Sequence, residues 1–127
     1  MTDELKVGIV GVKRGRAFGP ALQACAATRV TAVCDSDPNQ LEAAGREFGG
    51  VQLFGRYQDL LESGIDMVIV ATPMHLHAPM SAAALARGIH VLSEVSAAIS
   101  LAQCHQLVRA ARASSARVAC CCAASSA

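Results

Sequence analysis

Apolar residues along this chain fall into short blocks of two kinds. Residues 5–11 (LKVGIVG), 65–73 (IDMVIVATP) and 89–95 (IHVLSEV) are nearly continuous apolar runs, and 29–35 (RVTAVCD) is a fourth, rich in β-branched residues. Such runs, without polar alternation, predict strands covered on both faces. The segments between them carry helix signals. A helix is expected from about residue 16 to residue 27. Residues 35–49 offer Asp37 as N-cap, Pro38 at the first helical position and Gly49 as a stop. Residues 57–63 suit one or two helical turns closed by Gly64, and 77–88 a helix closed by Gly88. Residues 100–114 place apolar side chains at 101, 104, 107, 108 and 111, one face of a helix. Residues 51–54 read as a short edge strand, and 117–122 as the opening of a final strand.

Strands alternating with helices imply right-handed βαβ crossovers and a parallel sheet. The expected fold is therefore α/β: a doubly wound, Rossmann-like parallel sheet of five or six strands in a three-layer α/β/α arrangement, as a single domain. Residues 1–117 form that domain, and the Ala-, Cys- and Ser-rich residues 118–127 read as an irregular tail. The length of 127 residues suits one domain, and 53% hydrophobic with 17% charged residues excludes a disordered chain. Aromatics are only 3%, so the core is expected from Val, Ile, Leu and Ala. A net charge of +1 supplies no field for nucleic acid or an anionic membrane. No stretch approaches the ~18 apolar residues of a membrane span. The start, MTDELKVGIV, has early acids and no leader pattern, so the expected location is cytoplasmic. The six cysteines show no C-x-x-C spacing and are expected to be reduced, small hydrophobes.

The chemistry concentrates where strands end, because doubly wound sheets bind ligands beyond the carboxyl ends of their strands. After the first strand comes GVKRGR. In the dinucleotide fingerprint G-x-G-x-x-G, the first glycine makes the tight turn, the second admits the pyrophosphate and the third lets helix and strand pack closely. Gly11 fits the first role, but Lys13 occupies the second position and Arg16 the third, with Gly15 one residue early. Gly15 is the natural substitute for the missing second glycine. Lys13, Arg14 and Arg16 stand at the positive end of a helix, an arrangement that a bound phosphate would relieve. The alternative is that their side chains simply reach into solvent. Asp35 ends the second strand 24 positions after Gly11, near the acid that the fingerprint places about 20 residues on to hold the adenosine ribose. Its charge opposes a 2′-phosphate, favouring NAD, with NADP possible. Capping the next helix is the competing role, which Asp37 already fills. In ATPMHLH, Thr72, Pro73, His75 and His77 lie on the same functional edge, either as a plain turn with a capping histidine or as crevice wall. The His-x-His pair has no carboxylate or cysteine to complete a metal site.

The order of KVGIVG, VTAVCDSDP, the run from Tyr57 to Val95 and SLAQCHQLV resembles the N-terminal domain of the Gfo/Idh/MocA oxidoreductases, over residues 5–115. The resemblance implies an NAD(P)-binding domain that precedes a larger domain for a sugar, polyol or related CH–OH substrate. It places Gly11 and Gly15 in the phosphate turn, Asp35 on the ribose, Thr72, Pro73 and His77 on the nicotinamide side, and Glu94 near the nicotinamide ribose. The chain departs from the family pattern at three places. The glycine turn is altered, Met74 replaces an Asn, and Glu94-Val95-Ser96 replaces Glu-Lys-Pro, so no catalytic residue is named. A valine has no proton to give. A chain lacking the substrate domain, through truncation or a frameshift, is the corresponding expectation. An exposed surface suited to self-association follows from it. A non-catalytic nucleotide-binding or regulatory module is the alternative function.

Overall fold

The computed structural model describes residues 4–121. Six strands form one parallel sheet: β1 (Leu5–Val10), β2 (Thr28–Cys34), β3 (Gln52–Phe54), β4 (Met67–Val70), β5 (His90–Ser93) and β6 (Val118–Cys120). Their order across the sheet is β3-β2-β1-β4-β5-β6. The chain winds outward from β1 to one edge, returns, and winds out from β4 to the other, so the topological switch lies between β1 and β4. Beyond the strand ends the ladder continues. Asp35 N–H donates to the Phe54 carbonyl, Gly11 N–H to Cys34, Ala71 N–H to Val10 and Glu94 N–H to Val70. The carboxyl ends of five strands are thereby tied into one edge.

Helices α1 (Val12–Gly15), α2 (Gly19–Ala24) and α3 (Pro38–Phe48) cover one face; α4 (Tyr57–Leu61), α5 (His77–Ala86) and α6 (Leu101–Ala113) cover the other. Side-chain alternation along each strand supplies the two cores. Val7, Ile9 and Ile69 meet Phe18 on the first face, while Val10, Val68, Val70 and Val91 meet Leu60, Leu61 and Leu85 on the second.

Three expectations are corrected. The first helix does not run over 16–27: α1 starts at Val12, a 3-10 turn occupies Arg16–Phe18, and α2 restarts at Gly19. Pro20 explains the break, since it lacks an N–H and its ring opposes the carbonyl of residue 16. The apolar stripe of α6 is only partly buried. Leu107, Ala110 and Ala111 pack on the second core, whereas Cys104 and Val108 are exposed and Leu101 is 74% exposed. Finally, the irregular tail expected from residue 118 gives way to the final strand also expected over 117–122: residues 118–120 pair with Val91, Leu92 and Ser93 at the open parallel edge of β5. Residues 122–127 of the expected tail lie outside the described residues.

Ser81, on α5, is fully buried, and its hydroxyl has no hydrogen-bond partner among the described residues. A desolvated, unpaired hydroxyl costs roughly 1–3 kcal/mol, and alanine is the better helix former. Ser81→Ala is therefore expected to leave stability unchanged or raise it by about 1 kcal/mol, read from the urea unfolding midpoint. A loss of stability would show that the hydroxyl has a partner in solution.

Candidate functional site

The turn after β1 is built around Gly11. Its φ of 89° lies in the left-handed region that glycine tolerates, and an added Cβ would stand 2.6 Å from the Ala71 carbonyl carbon and oxygen. The turn lies at the switch point between β1 and β4. Gly15 has a different duty. Its backbone is ordinary helix, with φ −64°, but a Cβ would meet the Ile9 Cγ2 at 2.4 Å. Gly15 thus lets α1 lie flat on β1, which is the third glycine's work. It is buried beneath the turn, so the expectation that it replaces the second glycine is corrected.

The Asp35 carboxylate faces this turn. Val12 N–H donates to Oδ2 at 2.9 Å and Asp37 N–H donates to Oδ1 at 2.9 Å. The acid that ends β2 therefore clamps the start of α1 and its own loop, while Asp37 caps α3 through Asn39 N–H. With Val12 N–H taken by Asp35, the amides of Lys13 and Arg14 are the N-terminal donors of α1 left without a protein acceptor among the described residues.

Gly11, Lys13, Arg14, Asp35, Thr72 and Pro73 line one cavity of ≈ 460 Å³ at the carboxyl edge. Five other sequence-derived site residues do not; one is His75, which is exposed and whose carbonyl accepts from Gln103 Nε2 at 3.1 Å. Gly15 is buried below. Arg16 turns to Glu47 on α3, 3.1 Å away. His77 is 1% exposed and lies behind the wall: Nε2 is 2.6 Å from the Thr72 carbonyl and Nδ1 is 2.7 Å from that of Ser96. Both partners only accept, so a neutral ring donates to one and a doubly protonated ring to both. His77 thus acts on the crevice by fixing the β4–α5 turn to the loop after β5. Glu94 is buried at the end of β5, gripped by Arg14 through two contacts, Nε to Oε2 at 2.8 Å and Nη2 to Oε1 at 2.6 Å. The hydrogen bond from Arg14 holds the Glu94 carboxyl below the usual range against the opposing effect of burial, with the charges of Arg14 and His77 adding to it.

Val10 and Ala71 of the strand ends line it too, as do Cys34, Ser36, Gly55, Tyr57, Leu76 and Met80. Sequence reading missed them. The one usable signal was position, since Gly55 follows the carboxyl end of β3 just as Asp35 follows β2. Tyr57 donates its hydroxyl to the Met80 carbonyl at 2.8 Å, and burial pushes its phenol well above the ordinary range. Burial, followed by the charges of Asp35 and Asp59, pushes the Cys34 thiol up to about 11, so it stays protonated and poorly nucleophilic at neutral pH. A larger hollow of ≈ 690 Å³ lies at the opposite, amino-terminal end of the strands, around Lys6, Thr28 and Arg29. It holds none of the turn chemistry and sits on the wrong side of a parallel sheet for a ligand. Among the described residues no three His, Cys, Asp or Glu side chains assemble as a metal site, and no helix is long and apolar enough to cross a membrane.

Residues 5–121 match the model of the oxidoreductase family with an NAD-binding Rossmann fold. A glycosyl hydrolase family 109 protein from Shewanella amazonensis is 34% identical over 116 residues, covering 83% of this chain and 26% of that protein. The chain thus spans about a quarter of the length of the curated relatives that it matches. The WlbA dehydrogenase from Bordetella pertussis, solved with NADH and UDP-GlcNAcA, superposes with a TM-score of 0.85 at 26% identity, covering 94% of this chain and 36% of that one. The apo scyllo-inositol dehydrogenase from Lactobacillus casei shares the fold, with a TM-score of 0.85 at 23% identity over 93% of this chain and 37% of that one. With a glycine turn, an acid at the end of β2 and a Thr-Pro strand end around one crevice, this chain belongs to the Gfo/Idh/MocA oxidoreductase family and carries its NAD-binding Rossmann domain.

Proposed function

We propose that the crevice holds NAD with its adenosine ribose on Asp35, its pyrophosphate on the Lys13 and Arg14 amides, and its nicotinamide side along Thr72 and Pro73. The observation that carries this reading is the joining of these residues in one cavity at the switch point of the sheet. The fit is chemical as well as positional. Asp35 can accept from ribose hydroxyls while retaining its two backbone donors, since a carboxylate has about four acceptor positions. Its charge opposes a 2′-phosphate, which favours NAD over NADP. Lys13 has no ion-pair partner among the described residues and is placed to offset phosphate charge. When bound, the cofactor supplies a hydride acceptor; the residues here bind it, orient it and hold its ribose.

The activity we propose is hydride exchange at a hydroxyl-bearing carbon of a sugar, polyol or related substrate, with the substrate held by protein beyond this domain. The nucleotide sugar and NADH bound to the WlbA dehydrogenase support that class. The name of the Shewanella relative favours a second reading, glycoside cleavage assisted by NAD, a chemistry known among glycosidases. Both need the same crevice. Met74, Val95, Ile99 and Leu101 are exposed apolar side chains in the loops after β4 and β5 and at the start of α6. We include in the proposal that they form a contact surface, for a second copy or a substrate-binding partner. We include a cytoplasmic setting in the proposal.

The test is titration of NADH with the purified chain, followed by nicotinamide fluorescence. Saturation at micromolar concentrations is expected, and no binding at millimolar concentrations would overturn the reading. Supplying NAD+ with a panel of polyols and nucleotide sugars, and following NADH formation, separates turnover from the behaviour of a non-catalytic module, which binds NADH but forms none from NAD+.

A further inference from the structure

Arg14 and Glu94 stand 80 residues apart in the chain yet form a two-point ion pair. Arg14 leaves from the turn after β1 and Glu94 ends β5, with β4 lying between those strands. The pair therefore spans the carboxyl end of β4, beside Ala71 and Thr72 of the cavity wall. Its members are unequal: the Arg14 side chain is 68% exposed and that of Glu94 only 4%. The arginine is a long, wet side chain that can turn about its bonds, whereas the carboxylate is fixed and dry.

Arg14 also lines the cavity, next to the two free amides. A phosphate seated there competes with Glu94 for the same planar fork, since guanidinium binds either anion through paired N–H groups. Moving the fork to phosphate strips a buried carboxylate of its cation, which is strongly unfavourable unless other donors replace it. A ligand with a ribose beyond its pyrophosphate brings both replacements: phosphate oxygens for Arg14 and hydroxyl donors for Glu94. A nucleotide that ends in phosphate brings only the first.

Resting on the dinucleotide reading above, we infer that Arg14 and Glu94 form an exchange latch. It is closed in the empty crevice and opened by ligands that satisfy both halves at once. Glu94 is then a specificity-determining residue that sets the preference for a dinucleotide over adenine nucleotides ending in phosphate.

The test is calorimetric titration of the full chain with NADH, ADP-ribose and ADP, in the native protein, in Glu94→Gln and in Arg14→Lys. The native chain is expected to bind ADP-ribose about tenfold more tightly than ADP, the worth of one charge-assisted hydrogen bond. Glu94→Gln releases the fork, so ADP binding should tighten about threefold or more while ADP-ribose changes little. Arg14→Lys keeps the charge but loses the fork, and should also narrow the ratio. If Glu94→Gln does not fold, by its melting curve without ligand, Arg14→Lys decides alone. A ratio unchanged in the folded variants overturns the latch and leaves the dinucleotide reading standing. A native chain that binds none of the three ligands overturns that reading, and the latch with it.

Discussion

Gly11→Ala is expected to destabilise the domain by roughly 2–5 kcal/mol, from a left-handed backbone cost of about 1–2 and an overpacking cost of about 1–3. The φ of 89° is maintained by the tight exit from β1, and the new methyl would press on the Ala71 carbonyl at 2.6 Å. That neighbour is backbone directly after the central strand β4, held by the bond from Ala71 N–H to the Val10 carbonyl, and cannot swing aside without breaking it. Against a total stability of about 5–15 kcal/mol, the loss is large. Urea unfolding of the variant measures it directly. Gly15→Ala provides the contrast. Its added Cβ meets the Ile9 Cγ2 at 2.4 Å, a closer contact, but with a side-chain methyl and from an ordinary helical backbone. Its expected cost is the overpacking term alone, about 1–3 kcal/mol. A Gly15→Ala penalty larger than that of Gly11→Ala would mean that helix packing, not the turn, limits the site.

The second large effect is on binding. Asp35→Ala should weaken NADH about 100-fold, since hydrogen bonds to a charged acceptor contribute roughly 1.5–3 kcal/mol each. NADPH should lose less, because removing the carboxylate also removes its repulsion of the 2′-phosphate. Fluorescence titration of both cofactors reads the two losses. Equal losses would discard the ribose assignment. The same substitution leaves the Val12 and Asp37 amides without their acceptor, so a fall in stability of about 1–3 kcal/mol is expected alongside. Asp35→Asn separates the two roles. It keeps one oxygen and removes the charge, so the NADH-over-NADPH preference should disappear while much of the stability returns. Unchanged stability in Asp35→Ala would mean that the clamp on the turn contributes nothing.

Periodicity and end signals made the strands and most helices legible because those signals are local. The apolar runs place β1, β2, β4 and β5 within a few residues, and Asp37, Pro38 and Gly49 mark both ends of α3. The alternation of strand and helix, with right-handed crossovers, leaves few topologies open, so the doubly wound class followed. The same logic put Gly11, Asp35, Thr72 and Pro73 on one edge before any contact was known. Local signals mislead where two of them compete. Pro20 breaks a helix that periodicity would have continued, and of the two readings of residues 118–120, irregular tail and final strand, the strand prevails because β5 offers it an edge.

What only the tertiary structure decided is how the charges at that edge are spent. In sequence, Lys13, Arg14 and Arg16 are three equivalent cations beside a glycine. In the fold, Arg16 belongs to Glu47, Arg14 to Glu94 and Lys13 to neither. His77, which reads as crevice wall, is a buried brace between two carbonyls. Gly15, which reads as an approach to phosphate, is a contact with Ile9. Residue types and spacing along one element follow from the chain itself, because helix and strand periods are properties of the backbone. Which partner satisfies a charge or a ring nitrogen depends on residues tens of positions away, and only packing of the sheet brings those within hydrogen-bonding distance.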